Sequence, residues 1–217
     1  MTTVTLTFDN GPFPGVTEGV LDVLAERDLK ATFFLVGDQL RQPGARELAE
    51  RAHAEGHWIG NHTMTHSVPF GDLDDPAPLA REIDETQDLI GPLAHPDRLF
   101  RPFGRGGVLD DRLLSADAVE RLSAGAYSVV LWNSVPRDWE DVAHWPDRAM
   151  ADVERHDWTV VVVHDLPTGA MHHLPRFLDR LDADGVAVTQ QLPEACVPMR
   201  RGELVGDLSP LTSRSGR

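Results

Sequence analysis

The side chains able to do chemistry stand where apolar runs break off into loops. They are Asp9 and Asn10, His62 and His66, Arg101, Asp138 beside Trp139, and His164 with Asp165. His62 and His66 are four apart, and on a helical turn that spacing puts two imidazoles on one face, able to chelate a transition metal. A third ligand from the Asp9–Asn10 turn would complete an open three-ligand site with room for water, the form a catalytic zinc site takes. Each residue also admits a plain structural reading. Asp9 and Asn10 are turn formers, two of the chain's 10 histidines can pair on a surface by chance, His164 can be a satisfied core histidine, and Arg101 a structural ion pair. Five such groups all falling at strand ends favours a shared site.

The elements that must position them alternate in type. Val4, Leu6 and Phe8 alternate with threonines up to Asp9, a strand pattern, and Gly11, Pro12, Pro14 and Gly15 stop it. A helix follows, with Thr17 as a candidate N-cap. Ala31–Val36 reads as a strand buried on both faces, Pro43–Ala54 as a helix, and His57–Gly60 as a short strand leading to the histidine pair. Further on, helices are expected over 79–89, 109–122, 141–155 and 171–181, with strands at 99–101, 127–132, 159–163 and 186–188. Such alternation predicts an α/β fold: a distorted (β/α) barrel of about seven parallel strands, with a doubly wound open sheet as the alternative. In a parallel barrel all C-terminal strand ends share one face, so the polar clusters would converge there. One domain is expected over 1–202, followed by a flexible tail over 203–217.

With 20 basic against 35 acidic residues the formal charge is −15. Nucleic acid and anionic membrane are poor partners for such a surface. Cys196 is the only cysteine, so neither an intrachain disulfide nor a thiolate cluster can form. No run approaches the roughly 18 apolar residues of a membrane span, and a cytoplasmic location is expected from the absence of a visible leader. Oligomeric state stays open.

Thr7-Phe8-Asp9-Asn10-Gly11-Pro12, His62-Thr63-Met64-Thr65-His66, Phe100-Arg101-Pro102-Phe103-Gly104, Asp138-Trp139 and Val162-Val163-His164 follow one another over positions 7–165. In that order they resemble the five motifs of the polysaccharide deacetylase family, also called NodB-homology or carbohydrate esterase family four. The resemblance implies a NodB-like barrel and a hydrolase that removes acetyl from an N-acetylated sugar, oligosaccharide or related small amide. It implies Asp9 as general base, Arg101 holding Asp9 ionised, and His164 as general acid tuned by Asp138. His62, His66 and Asn10 would hold a divalent metal, zinc first, with cobalt, nickel or manganese as alternatives. Trp139 would wall the acetyl pocket, and Phe103 or Gly104 would offer the oxyanion N–H, since Pro102 has none.

Two of the chain's departures from the pattern bear on the site itself. Asn10 stands where the family has an aspartate ligand, and a neutral amide oxygen binds a dication more weakly. The third motif is one residue short and lacks its tyrosine. Two other functions therefore compete: a metal-free amidohydrolase of cyclic ureides or imides, and a degenerate fold that only binds sugar.

Overall fold

The structure, a computed structural model, describes residues 2–213. In chain order it runs β1 (Thr3–Asp9), α1 (Thr17–Glu26), β2 (Thr32–Leu35), α2 (Gly37–Leu40), α3 (Ala45–Ala54) and β3 (Trp58–Asn61). A π-helical turn (Ala80–Glu85) runs straight into α4 (Thr86–Ile90), followed by β4 (Leu99–Phe100), α5 (Ala116–Ala124) and β5 (Ser128–Val129). Then come α6 (Trp145–Val153), β6 (Trp158–His164), α7 (Leu174–Ala183), β7 (Ala187–Thr189), β8 (Met199–Arg200) and β9 (Glu203–Leu204).

The sheet order is β6-β1-β2-β3-β4-β5-β8-β9, with β7 paired on the first half of β1. Pairing is parallel from β1 to β7, and only the β5–β8 and β8–β9 contacts are antiparallel. The curl closes through one bridge. Ser134 N–H donates to the Val160 carbonyl at 3.2 Å, and Val162 N–H to the Ser134 carbonyl at 2.9 Å. This is the distorted barrel of seven parallel strands that the alternation predicts, plus a C-terminal hairpin that it does not.

The alternation along β1 separates two interiors. Val4, Leu6 and Phe8 face the helices and join a core with Val20, Leu24, Ala49, Met150 and Phe177. Thr5 and Thr7 are 0% exposed as well, yet they face the inside of the curl. Burying roughly 25 cal/mol per Å² of apolar surface drives the outer core together. The threonine row gives the inner space hydroxyls, and these are what allow charged side chains to be buried beside it.

Several expected boundaries differ. The 109–122 helix starts only at Ala116, because Ser115 Oγ caps it by accepting from Ala118 N–H at 3.2 Å. Residues before it remain in a loop, where the Leu114 backbone pairs with Leu211 and Ser213. The 127–132 strand pairs as a strand only at Ser128–Val129. Pro146 lies in the first turn of α6, so the 141–155 helix starts late, at Trp145. The tail expected from 203 is structured as far as 213: β9 pairs with β8, and Leu208 is buried against the second core. Residues 214–217 lie outside the described residues. Among the described residues no helix is long and apolar enough to cross a membrane.

Candidate active site

The register of β1 against β6 sets Asp9 opposite His164 at the C-terminal rim of the sheet. Beside them β3 delivers His62, and β4 ends at Arg101, whose N–H donates to the Asn61 carbonyl at 2.9 Å. Asp9, Asn10, His62, His66, Phe103, Gly104, Trp139 and His164 all line one cleft of about 270 Å³. Arg101 and Asp138 lie behind it, buried and bonded to Asp9 and His164. The candidate residues are thus brought together, although Asp9 and His164 are 155 residues apart in the chain.

Arg101 is 0% exposed. Its Nη1 donates to Asp9 Oδ1 and to Thr7 Oγ1, both at 2.7 Å, and its guanidinium carbon lies 4.0 Å from the Phe34 ring centre. Burial pulls Arg101 below its ordinary pKa, while the Asp9 charge and hydrogen bond oppose that pull. With Oδ1 held, Asp9 Oδ2 is left toward the cleft, 3.5 Å from His62 Nε2.

His164 is held at two points by one carboxylate. Asp138 Oδ1 accepts from Nδ1 at 2.8 Å, and Oδ2 accepts from the His164 backbone N–H at 2.9 Å. That fixes the ring with Nε2 free. Burial alone would lower the His164 pKa, but the Asp138 hydrogen bond and charge, with Asp9 and Asp165, outweigh it and raise it above 6.5. Trp139 stands edge-on to the ring at 4.8 Å.

The next residue, Asp165, is fully buried and braces the first turn. Thr17 Oγ1 donates to its Oδ2 at 2.5 Å while accepting from Phe13 N–H at 2.8 Å. Thr17 is therefore the first residue of α1 and a brace, whereas Val16 takes the cap position expected for it. A Cβ on Gly11 would lie 2.1 Å from Asp165 Oδ2, so only glycine fits beside this carboxyl. Burial raises the Asp165 pKa to about 6.

The histidine pair is close, with ring centres 4.6 Å apart, but it is not on a helix. His62 follows β3 directly, and the chain from Thr63 to His66 is a loop with φ of +67° at Thr63 and +49° at His66. The four-residue spacing pointed to a shared face through the wrong local structure. His62 Nδ1–H donates to the Arg101 carbonyl at 2.8 Å, which leaves Nε2 as the unprotonated atom of the neutral ring. Burial above all lowers His62 to about 3 and His66 to about 2, so both rings are neutral, the ligating form.

A divalent ion is the group that the motif resemblance implies. Asn10 Oδ1 is buried and without a hydrogen-bond partner, and such an acceptor is costly unless a donor or a cation meets it. With two neutral imidazoles beside it, the donor set fits one cation. It is a poorer set than usual, for among the described residues no three His, Cys, Asp or Glu side chains group to hold a metal. The third donor here is an amide.

Phe103 lines the cleft as expected, and its ring has a second contact. It lies 4.1 Å from the ring of His66, so it packs that imidazole as well. Gly104 allows close approach: a Cβ there would meet Trp132 at 2.7 Å. Trp132, Arg137, Glu140 and Leu166 also line the cleft and escaped the sequence reading. The first and last of these sit in apolar patterns that read equally as core. Arg137 and Glu140 flank the Asp138–Trp139 pair, and that position was the one available signal.

A prediction arises from the His164–Asp138 pair. A group with a raised folded pKa keeps its proton until the pH climbs through that value, so activity that needs His164 protonated is lost there. Asp138→Asn removes the charge, burial then dominates, and the alkaline limb of the pH–rate profile moves to lower pH. A limb that stays in place would mean that another group supplies the proton.

A family model for polysaccharide deacetylase matches residues 1–118. A chitooligosaccharide deacetylase of Rhizobium leguminosarum bv. phaseoli is 35% identical over 186 residues, covering 78% of this chain and 73% of that protein. A peptidoglycan-N-acetylglucosamine deacetylase of Bacillus cereus is 30% identical over 189 residues, covering 83% and 66%. With two further rhizobial chitooligosaccharide deacetylases the match spans 58% of the relative's own length. Among solved structures, a family 4 carbohydrate esterase from Streptomyces lividans in complex with acetate superposes with a TM-score of 0.72 at 27% identity, covering 90% of this chain and 96% of that one. The family match ends before Asp138 and His164, and it is the β1–β6 register that sets His164 against Asp9.

Proposed function

The chain belongs to the polysaccharide deacetylase family, and from that premise we propose that it hydrolyses the acetamide of N-acetylglucosamine units in a chitooligosaccharide or a peptidoglycan strand. The observation that carries the reading is that Asp9 and His164, in register on neighbouring strands, line one cleft with each held by a buried partner. A binding module has no need of a fixed base facing a fixed acid. The names of the relatives support the substrate class.

Amide hydrolysis needs an activated water, a site for the oxyanion and a proton for the leaving amine. Asp9 Oδ2, the oxygen that Arg101 does not hold, takes the proton of the attacking water. As the carbon–nitrogen bond breaks, His164 Nε2 gives its proton to the nitrogen, and acetate and a free amine result. Asp138 keeps Nδ1 protonated throughout, so only Nε2 exchanges a proton with substrate. Trp139, Leu166 and Val162 make an apolar wall for the acetyl methyl, and an N–H at Phe103 or Gly104 receives the oxyanion. A divalent ion held by Asn10, His62 and His66 would supply Lewis acidity toward water and carbonyl.

The test is acetate release from chitooligosaccharides and from peptidoglycan fragments, with zinc added and with a chelator. Release that depends on zinc and is abolished in His164→Ala is expected. If neither glycan yields acetate with zinc present, the substrate reading fails. Chelator-resistant cleavage of a cyclic ureide would favour the metal-free alternative.

A further inference from the structure

The histidine loop makes no backbone–backbone hydrogen bond within itself, and its one internal tie is His66 N–H donating to Thr63 Oγ1 at 3.0 Å. Two consecutive N–H groups, those of Met64 and Thr65, turn away from β3 after the left-handed residue Thr63 and point at one place. Glu82 fills that place. Its Oε2 accepts from Met64 N–H and from Thr65 N–H, each at 3.0 Å, and its Oε1 accepts from Thr65 Oγ1–H at 2.9 Å. Successive N–H groups converging beside a left-handed residue form a concavity suited to an anion. Here the anion is supplied from the same chain, 18 residues beyond Met64.

Glu82 is positioned in turn by the π-helical turn at Ala80–Glu85. This turn lies against the end of β3, since Asn61 Nδ2–H donates to the Ile83 carbonyl at 2.8 Å. The other side of Asn61 returns to the loop, its Oδ1 accepting from Thr63 N–H at 3.0 Å. From the opposite flank Gly37 and Asp38 donate to the carbonyls of Thr63 and Met64 at 3.0 and 2.8 Å. A Cβ on Gly37 would meet Met64 Sδ at 2.4 Å, so this flank is closed. The loop is gripped on its carbonyls by one element and on its amides by Glu82. Wide helical turns of this kind recur at functional sites, and here the turn aims a carboxylate.

We infer that Glu82 is a positioning residue. It sets the separation of His62 and His66 through the backbone between them, without touching either ring. The inference deepens the reading of the imidazole pair as a metal site and rests on it in that respect.

Zinc affinity of the metal-free protein, measured by competition with a chelating dye, tests it. Glu82→Ala is expected to weaken zinc about 10–100-fold, the usual cost of losing an outer partner of a metal ligand. Glu82→Gln is expected to stay within about threefold of the native value, because its amide oxygen makes the same two bonds somewhat more weakly. The Gln nitrogen can donate to Thr65 Oγ1, so all three contacts survive. Native-like zinc binding by folded Glu82→Ala overturns the inference, and so does a Glu82→Gln variant as weak as Glu82→Ala, since charge and not placement would then be the cause.

A second readout needs no metal. Hydrogen exchange at the Met64 and Thr65 amides should accelerate about tenfold or more in Glu82→Ala, in line with loss of roughly one charged hydrogen bond, and little in Glu82→Gln. Unchanged exchange overturns the clamp. If Glu82→Ala does not fold, Glu82→Asp, which withdraws the carboxylate by one methylene, is expected to show both effects. A native protein that takes up no zinc would remove the metal reading, while the exchange rates would still decide the clamp.

Discussion

Asp9→Asn is expected to lower acetate release about 10²–10⁴-fold, the range lost with a general base, and to destabilise the fold as well. The two effects have one origin. Asp9 Oδ2 faces the cleft, where the proposed mechanism uses it as the base, while Oδ1 neutralises Arg101. An amide at position 9 fills the same volume and can still accept one bond from Arg101, but it takes no proton from water. It also leaves a guanidinium with 0% exposure uncompensated. Removing one partner of a buried pair costs about 3–5 kcal/mol. For a chain of this size, at about 2–4 °C per kcal/mol, that is a fall in Tm of roughly 6–20 °C. Turnover with circular dichroism and a thermal melt separates the two. A folded variant within about tenfold of native turnover would assign the base elsewhere.

Asn10→Asp should move zinc affinity in the opposite direction, tighter by on the order of 10²-fold, at least the size of an outer-partner effect. Asn10 Oδ1 is a buried acceptor without a partner on a residue that lines the cleft, so the replacement puts charge on an atom free to take a ligand. Coulomb attraction to a dication is then available where only a dipole was before. The sign reverses without metal. A second carboxylate beside Asp9 repels it, so metal-free Asn10→Asp should melt below the native protein. Ligand linkage makes the zinc-loaded variant gain more, since stabilisation grows as RT ln(1 + [L]/Kd). Two melts with and without zinc therefore check one substitution, and equal zinc-induced shifts in both proteins would show that position 10 is no ligand.

Much of the candidate site was legible because its residue types are rare at strand ends. Asp9, His62, Arg101 and His164 each stand at the end of a strand-like stretch, and the parallel-barrel expectation puts such ends on one rim. The histidine spacing picked two rings that the structure does bring together, but through a helical turn that is not there, since nothing local in Thr63-Met64-Thr65 announces a loop bonded to Glu82. Phe103 could be placed in the cleft by motif, but its packing on His66 depends on where two distant loops meet.

The chain by itself determined the alternation of elements and which side chains are candidates for the site, because periodicity and side-chain chemistry are local properties. Only tertiary structure decided that the threonine face of β1 lies inward, where it lets Arg101 be buried beside Asp9. It also decided that β6 stands in register with His164 beside Asp9, and that the carboxylate of Glu82, 18 residues from Met64, accepts from that residue's amide in the histidine loop. Those are long-range choices: hydrogen-bond satisfaction in a closed interior selects partners by position in space, and position in space is not written in neighbouring residues.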